Sequence, residues 1–483
     1  MSDAAARLPE EFWTREAWSL ADAVREGSLS AVDLLDGYLA RIAAIDPTLN
    51  AVCFLDEAGA RDAAERVDAL VARGDDPGEL AGLPVGVKEL NHVAGWPATH
   101  ASLIYADRVS DHDDVETARL RAAGAVLAGL TTASEHGSVS FTHTPLHGVT
   151  RNPWNPTRTP GGSSGGAAAA VAAGMFPVAT AGDGGGSIRI PASYCGLVGM
   201  KVTYGLTGRG PGPFNSSLTP VRGPMARTAR DAARYLDVVT GPTLTDPTSL
   251  PKPAPFEPAL VSGEAQADLR GLRVGWADAL GGFAAEPSVA AVTREAAEQL
   301  VAAAGMTWVD VAVDFPRPGM TWGLLSSIDD MAWHMDAMHD RLDEVTPVYR
   351  LAYESVRHLR PDVLLKAVRR RAELCAASAA VFGQVDLLLT PTTPTPAFAA
   401  EGVLSAELNG EEVTLFGLSA AFTAPFNVTG QPACSIPAGL VDGLPVGLQV
   451  VAPRHQDLRC LAAGAIADAV RPWPRLAPIV SAA

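Results

Sequence analysis

The sequence is poor in lysine and in positive charge. Of its 483 residues only four are lysine, and the formal net charge is −17; the lysines are Lys88, Lys201, Lys252 and Lys366. Nucleic acids and anionic membrane surfaces bind basic protein faces, so this charge argues against both as partners and favours small uncharged substrates. A lysine in an apolar setting is conspicuous in such a chain, and Lys88 lies in the apolar stretch LAGLPVGVKEL.

Cysteine is also infrequent. The five cysteines are odd in number, widely spaced and without a C-x-x-C pair, which fits reduced thiols in the cytosol better than a disulfide framework or a zinc site. The ten histidines show no H-E-x-x-H or comparable ligand spacing, so the sequence predicts no metal.

The sequence shows no targeting or membrane segment. The N-terminal MSDAAARLPEEFW lacks the basic and apolar regions of a secretory signal. The longest run of small apolar residues, 167–181, is interrupted by Gly174 and Pro177 and is shorter than the ~20 residues of a spanning helix. These absences predict a cytoplasmic protein that does not bind membranes.

Short strand-like segments alternate with helix-like segments along the whole chain. The stretch GLPVGVKEL reads as a strand, and 57–73 and 287–304 read as helices. This alternation predicts an α/β fold with a mixed central sheet covered by helices on both faces. Because both halves share the pattern, we predict one large domain over 1–483, with the Pro-rich segment 241–258 crossing its surface.

The stretch 159–204 contains two loops rich in Gly and Ser, at 161–166 and 184–187. A flexible linker is a weaker interpretation, because the strong helix former AAAAVAAG follows the first loop directly. The P-loop is excluded since no Lys-Ser or Lys-Thr follows the glycines, and the dinucleotide fingerprint fails at Ser187. The GGSSG run also matches the nucleophile elbow G-x-S-x-G, so an esterase of the α/β-hydrolase type that uses Ser164 stays open.

A glycine loop that ends on a serine suits acyl transfer. The N–H groups of Gly184, Gly185 and Gly186 could hold the oxyanion that forms when the Ser187 hydroxyl attacks a carbonyl. Serine needs a base, and a lysine serves only when burial lowers its pKa. Lys88 fits that demand, and Ser163 could relay the proton. The competing interpretation is an ion pair of Lys88 on the surface, with Glu89 or another acid.

The motifs of this region resemble those of the amidase signature family. They are GGSSGG, then VAAG, D-x-GGSIRIPA and CG-x-x-G-x-K, and the similarity extends to 150–156, 223–233 and the closing PFNVTGQPACSIPAG. The resemblance implies the amidase signature fold and a Ser-Ser-Lys triad. In this sequence Ser187 would be the nucleophile, Ser163 the relay with a cis peptide bond from Gly162, and Lys88 the base.

The resemblance also implies other site residues. The backbone N–H groups from Gly184 to Ser187 would form the oxyanion hole, and Gly137 would face the leaving group. His136 and Arg209 are candidate substrate contacts, although Arg209 lies in the Gly/Pro loop 207–214 and is equally interpreted as a solvated loop charge. Asp183 and Arg189 would form a structural pair, and no cofactor is implied.

The expected reaction is the hydrolysis of an amide, anilide or carbamate of small, uncharged substrates through an acyl-enzyme. The chain could also assemble as a homodimer. A second possibility is a non-hydrolytic amidotransferase subunit or an inactive binding relative. The branch of the family linked to tRNA resembles this chain poorly, because LTGRGPGPFNSSL follows KVTYG without that branch's Ser-Arg-Tyr continuation.

Overall fold

The structure is a computed structural model that describes residue 8, residues 11–212 and residues 216–478. Its α-helices are α1 Ala17–Arg25, α2 Ala31–Leu49, α3 Glu57–Arg73, α4 Val115–Ala122, α5 Gly165–Ala172, α6 Arg189–Cys195, α7 Ala229–Val239, α8 Phe256–Val261, α9 Glu264–Ala267, α10 Pro287–Ala304, α11 Gly319–Met338, α12 Pro347–Arg357, α13 Pro361–Phe382, α14 Ala424–Val428 and α15 Asp457–Val470. Its strands are β1 Val52–Leu55, β2 Pro84–Lys88, β3 Val126–Thr131, β4 His143–Thr144, β5 Gly148–Val149, β6 Val178–Asp183, β7 Val198–Lys201, β8 Val221–Ala226, β9 Arg273–Trp276, β10 Ala279–Leu280, β11 Phe283–Ala284, β12 Thr307–Trp308, β13 Leu387–Pro391, β14 Ser405–Leu408, β15 Glu411–Thr414, β16 Ala433–Val441 and β17 Leu444–Val451.

A mixed sheet of eleven strands forms the centre of the fold, in the order β1-β3-β2-β6-β8-β7-β16-β17-β13-β9-β12. Strands β3, β2 and β6 are parallel at one side, and β13, β9 and β12 are parallel at the other; the strands between them run antiparallel. Helices flank the sheet, so the predicted α/β class is confirmed. Because the sheet takes strands from both halves of the chain, the two halves share one core.

Helix ends follow the local sequence. Helix α3 begins after Asp56, whose carboxylate accepts the N–H of Gly59 at 3.0 Å, and ends at Gly74 in the left-handed region. Helix α2 begins after Ser30, whose hydroxyl accepts the N–H of Asp33. Such caps satisfy N–H groups that have no partner within the helix. The cap and the apolar spacing explain why the predicted helix 57–73 matches the structure. The predicted helix 287–304 also matches; it begins at Pro287 and ends before Gly305, which lies in the left-handed region.

The two Gly/Ser loops of the stretch 159–204 lie at the ends of buried elements. The first precedes helix α5, in which every residue is buried, because small Ala side chains let this helix pack closely against the sheet. The second connects β6 to α6, and α6 is also buried throughout. Both loops therefore sit at fixed positions in the core, which is inconsistent with a linker.

Among the central strands, β7, β8 and β16 were not predicted from the sequence. The segment 223–241 is predicted as a turn and a helix, but its start belongs to β8, which lies between β6 and β7. Strand β16 lies in the segment that ends PACSIPAG, which carries no alternating pattern. All three strands are largely buried, so the polar and apolar alternation that marks a strand is absent. The segment 241–258 contains no strand and reaches helix α8 at Phe256.

Within the described residues, no helix combines the length and apolar character that crossing a bilayer requires. Residues 213 and 214 of the predicted loop 207–214 lie outside the described residues. The extent of the domain over 1–483 stays a prediction.

Candidate active site

Lys88 ends strand β2 with its side chain inside the protein. Its Nζ lies 2.7 Å from Ser163 Oγ and 2.8 Å from Ser164 Oγ. The Lys88 backbone N–H donates to Thr180 Oγ1 at 2.8 Å, which ties the end of β2 to the neighbouring strand β6. Burial lowers the pKa of Lys88 to about 7, and the positive charge of Arg222 contributes to the same shift. The neutral amine is therefore accessible near neutral pH.

Glu89 does not pair with Lys88. The Glu89 carboxylate accepts a hydrogen bond from Thr99 and lies 2.5 Å from His147 Nε2. Lys88 is only 2% exposed. The competing interpretation of Lys88 as half of a surface ion pair is wrong, because its amine is directed at two buried hydroxyls.

Ser163 and Ser164 have different surroundings although they are adjacent. The peptide bond between Gly162 and Ser163 is cis, and the Ser163 side chain lines a large cavity. The Ser164 side chain is fully buried, does not line that cavity, and lies 3.4 Å from the backbone N and O of Gly182. A nucleophile has to reach the substrate, so the esterase alternative that used Ser164 has no support in this arrangement.

Ser187 lies in the loop between β6 and α6, and it lines the same cavity as Lys88 and Ser163. Among the described residues its hydroxyl has no hydrogen-bond partner, so nothing in the folded chain ties it away from a substrate. The three predicted triad residues thus face one space, although they are 75 and 24 positions apart in the sequence.

Asp183 shapes the Ser187 loop. Its carboxylate accepts the N–H groups of Gly186 at 2.8 Å and Ile188 at 3.2 Å, and it pairs with Arg189 at 2.9 Å with both side chains fully buried. Burial opposes ionisation of Asp183, but the Arg189 guanidinium outweighs it and lowers the pKa of the carboxyl to about 2. The structural pair expected from the sequence is present, and it fixes the backbone on both sides of Ser187.

The predicted oxyanion donors divide into two groups. The carbonyl of Gly184 accepts the Trp322 indole N–H at 2.6 Å, and the carbonyl of Gly185 accepts the Thr423 hydroxyl at 2.7 Å. Gly184, Gly185 and Ser187 line the cavity, and within the described chain their N–H groups have no acceptor. The Gly186 N–H donates to Asp183, and Gly186 does not line the cavity. The prediction that Gly186 is an oxyanion donor is therefore corrected, because its N–H group already donates to the Asp183 carboxylate.

The remaining predicted residues also line the cavity. Gly137 has φ of +77°, and a Cβ at this position would lie 3.3 Å from Ser163 Oγ. The His136 ring stacks on Tyr349 with centroids 4.3 Å apart and planes 4° apart. Arg209 donates to the carbonyl of Pro220 at 3.1 Å, so the interpretation of its side chain as a freely solvated charge is wrong.

The cavity has a volume of about 1520 Å³. Trp322 and Phe416 line it beside the Ser187 loop, with ring centroids 5.8 Å apart. Its outer part is open to solvent and mixed in character. Exposed apolar side chains and exposed charged side chains line it together: Met320, Trp333, Leu351 and Leu404, with Arg360, Lys366, Arg369, Arg370 and Glu373. A space of this size and lining accommodates a bulky apolar group next to the two hydroxyls.

Lys201 shows that a lowered pKa alone does not identify the base. Burial lowers the pKa of Lys201 to about 7 as well, with Arg189 contributing. Its amine, however, donates to the backbone carbonyls of Gln431 and Val202 at 2.5 and 3.1 Å, and it does not line the cavity. Position beside a cavity hydroxyl distinguishes Lys88 from Lys201.

Some site residues were missed or undervalued in the sequence. Trp322 and Trp333 line the cavity, and helical spacing alone would suggest packing residues at both positions. Met331 and Met338, on the same helix, are packing residues, buried with Tyr349. Thr423 was not singled out, since no local motif marks a threonine that meets a loop 238 positions away.

The model of the Amidase family matches residues 33–461. The chain belongs to the amidase signature family. A bacterial aryl acylamidase of this family has a TM-score of 0.89 at 28% identity, with 97% of this chain and 99% of that chain covered. The 6-aminohexanoate cyclic dimer hydrolase in complex with its substrate has a TM-score of 0.85 at 30% identity, covering 98% of this chain and all of the other (100%). Enzymes of the family act on C–N bonds.

The relatives in sequence include one component of an amidotransferase. The A subunit of glutamyl-tRNA(Gln) amidotransferase from Synechococcus sp. (strain RCC307) is 38% identical over 476 residues, covering 92% of this chain and 94% of the relative. The expectation that the tRNA-linked branch resembles this chain poorly is therefore wrong: one divergent loop after KVTYG says little about the identity of the whole chain. The structure of the corresponding protein from Thermotoga maritima has a TM-score of 0.75 at 26% identity, with 97% of this chain and 98% of that chain covered.

Proposed function

We propose that this chain is a serine hydrolase that cleaves amide-like C–N bonds, in amides, anilides or carbamates, of small uncharged substrates. The observation that carries the proposal is the buried Lys88 amine, 2.7 Å from Ser163 Oγ, on the wall of a cavity that Ser187 also lines. A neutral amine, a relay hydroxyl and an unengaged hydroxyl are the components that nucleophilic amide cleavage requires.

The reaction begins with proton transfer. Neutral Lys88 accepts the proton of Ser163, and Ser163 accepts that of Ser187 as Ser187 Oγ forms a bond to the substrate carbonyl carbon. The carbonyl oxygen becomes an anion, held by N–H groups of Gly184, Gly185 and Ser187. The proton returns along the same relay to the leaving nitrogen, the C–N bond breaks, and the amine departs.

Water completes the cycle. With Lys88 neutral again, the relay takes a proton from a water molecule whose oxygen attacks the acyl-Ser187 carbonyl. The ester bond to Ser187 then breaks, the Ser187 oxygen regains its proton, and an acid leaves. A carbamate follows the same route, because its carbonyl presents the same geometry to the nucleophile. No step requires a cofactor.

Exposed apolar side chains on the wall of the outer cavity support bulky uncharged substrates. Met320 is 88% exposed and Trp333 is 57% exposed where they line the cavity, so an apolar acyl or amine group that covers them removes their surface from water. The structural likeness points the same way, since the aryl acylamidase aligns with a TM-score of 0.89 and the amidotransferase component with 0.75.

The test is hydrolysis by the purified single chain of an anilide, an aliphatic amide, an aryl carbamate and glutamine. We expect turnover of the aryl substrates, a loss of roughly a thousandfold or more in Ser187→Ala, and a covalent adduct on Ser187 with a slowly released carbamate, seen by intact mass. Lys252→Ala and Ser262→Ala, which change an exposed lysine and an exposed serine, are the matched controls and should keep full activity. Equal activity of Ser187→Ala and the unmodified chain would overturn the proposal.

A second candidate is a role as one component of an amidotransferase, favoured by the 38% identity to the glutamyl-tRNA(Gln) amidotransferase relative. That function predicts hydrolysis of glutamine that depends on added partner proteins, with little turnover of anilides or carbamates. The same panel, run with and without such partners, distinguishes the two functions.

A further inference from the structure

Three histidines converge on the cavity wall beside the proposed active site. Their available ligand atoms lie within 4.8 Å of one another, and all three side chains line the cavity: they are His100, His136 and His334. Ring centroids are 4.5 Å apart for His136 and His334, and 5.5 Å apart for His100 and either of the others. The proposed hydrolysis uses none of these rings as an acid or a base.

The His136 ring has an unsatisfied nitrogen. Its Nε2 is buried and has no hydrogen-bond partner among the described residues. The residue is 9% exposed, and one face of its ring is covered by Tyr349. A buried nitrogen without a partner is unfavourable unless something in the cavity satisfies it. A ligand that binds imidazole nitrogen would do so.

Hydrogen bonds tie the His334 ring and the backbone around His136 to their surroundings. The Tyr105 hydroxyl lies 2.9 Å from His334 Nδ1, which leaves His334 Nε2 as the free nitrogen of that ring. The backbone N–H of His136 donates to the carbonyl of His100 at 2.9 Å. Glu135, the residue before His136, accepts hydrogen bonds from Ser102 at 2.7 Å and from the backbone N–H of Thr346 at 2.7 Å. An imidazole whose second nitrogen is held by an outer hydrogen bond, as in His334, is typical of metal ligands.

We propose that His100, His136 and His334 bind one divalent transition-metal ion of the zinc class, with the open coordination position facing the cavity. The donor set is nitrogen only, which suits Zn²⁺, Cu²⁺ or Ni²⁺ and disfavours Mg²⁺ and Ca²⁺. Tetrahedral ligands at ~2.1 Å from zinc lie ~3.4 Å from one another, so small side-chain rotations close the site.

The site could not be found by spacing in the sequence. His100 lies in a loop and His136 in the short 3-10 helix Glu135–Gly137, each with positive φ, and His334 lies on helix α11, about two hundred positions later. The absence of a motif such as H-E-x-x-H therefore excluded only a metal site whose histidine ligands are close in sequence. The site goes beyond the proposed hydrolysis, which requires no metal.

Isothermal titration of the chelator-treated full chain with Zn²⁺ alone tests the proposal. We expect one ion per chain with a micromolar or tighter dissociation constant, at least tenfold weaker binding in His136→Ala and in His334→Ala, and unchanged binding in His143→Ala, a histidine outside the cavity. Circular dichroism shows whether each variant is folded. If His136→Ala does not fold, His334→Ala alone decides.

A second readout uses cobalt in place of zinc. Bound Co²⁺ with three nitrogen ligands gives visible absorption bands of tetrahedral or five-coordinate geometry, and these should be absent in His334→Ala. The proposal is overturned if the chain binds no zinc at millimolar concentration, if the two cavity variants bind it as tightly as the unmodified chain, or if Mg²⁺ competes equally. Each of those results would mean that the three histidine rings line the cavity without binding a metal ion.

Discussion

The indole N–H of Trp322, on helix α11, donates a hydrogen bond of 2.6 Å to the backbone carbonyl of Gly184. This contact joins a helix of the second half of the chain to the loop that carries Ser187. A Cβ on Gly185 would overlap the same indole ring, so the ring and the loop are packed without space between them. The position of the proposed oxyanion donors thus depends on a residue far away in sequence.

Replacing Trp322 with Phe removes that donor and keeps an aromatic ring. A hydrogen bond contributes about 1 kcal/mol net, so we expect kcat to fall about fivefold to tenfold while KM changes little. Steady-state kinetics on an anilide measures the effect. Trp333→Phe is the matched control, since Trp333 lines the outer cavity and should keep its kcat. An unchanged kcat in Trp322→Phe would show that this hydrogen bond does not position the loop.

The rate of hydrolysis should depend on the protonation state of Lys88. Burial lowers the pKa of this amine to about 7 from an ordinary 10.5, and only the neutral form can accept a proton. We therefore expect kcat/KM to rise as pH increases through about 7 and to level off above it. Lys88→Arg should be inactive over the whole range, because a guanidinium stays protonated.

A pH profile of kcat/KM measured between about pH 5 and 9 tests this dependence, with Lys252→Ala as the control that keeps the profile. A rate that decreases through pH 7 would contradict a neutral lysine as the base. Activity retained in Lys88→Arg would contradict it as well.

Replacing Gly137 with Ala should crowd the relay hydroxyl. The added Cβ would lie 3.3 Å from Ser163 Oγ and 3.2 Å from Leu90 Cδ1, at a φ of +77°. We expect kcat/KM to fall about tenfold or more while the melting temperature changes by only a few degrees. Gly95→Ala separates crowding from strain, because Gly95 has a similar φ of +83° with no atom within 4 Å of its Cβ position. Equal losses in both variants would show that backbone strain alone is responsible.

Arg189→Met should destabilise the protein by leaving the Asp183 carboxylate buried without its partner. Breaking such a pair from one side costs about 3–5 kcal/mol in the free energy of unfolding. Denaturant unfolding measures the loss, and Arg25→Met, which breaks an exposed pair with Asp76, should have little effect. Because the pKa of Asp183 is lowered to about 2 from 3.8, its contribution in the unmodified chain is full above pH 3.8 and is lost as pH falls through 2. Similar losses in both variants would contradict the stabilising role of this buried pair.

Trp333→Ala should change substrate preference. Trp333 is 57% exposed on the cavity wall, where a bulky apolar group of the substrate would cover it. We expect KM for an aryl carbamate to rise severalfold and KM for a small aliphatic amide to stay the same. Leu365→Ala, an equally exposed apolar residue outside the cavity at 58%, should change neither. A uniform rise for both substrates would indicate that Trp333 does not contact the bulky group.

The sequence was sufficient to predict those elements whose signal lies in neighbouring residues. The helices 57–73 and 287–304 follow from apolar spacing, and the two Gly/Ser loops follow from composition. Strands β7, β8 and β16 were missed because strands buried on both faces lack the alternation that marks a strand. The relation to the tRNA-linked branch was underestimated from one loop, whereas the identity is distributed over the whole chain.

The sequence by itself determined the α/β class, the family, and the candidate residues Lys88, Ser163 and Ser187, because these depend on motifs of contiguous residues. Only the tertiary structure decided that Lys88 and not Lys201 faces a cavity hydroxyl, and that the Gly186 N–H belongs to Asp183. It alone brought His100, His136 and His334 together. Distances between side chains from separate elements are set by how the sheet and helices pack, and no pattern along the chain encodes them directly.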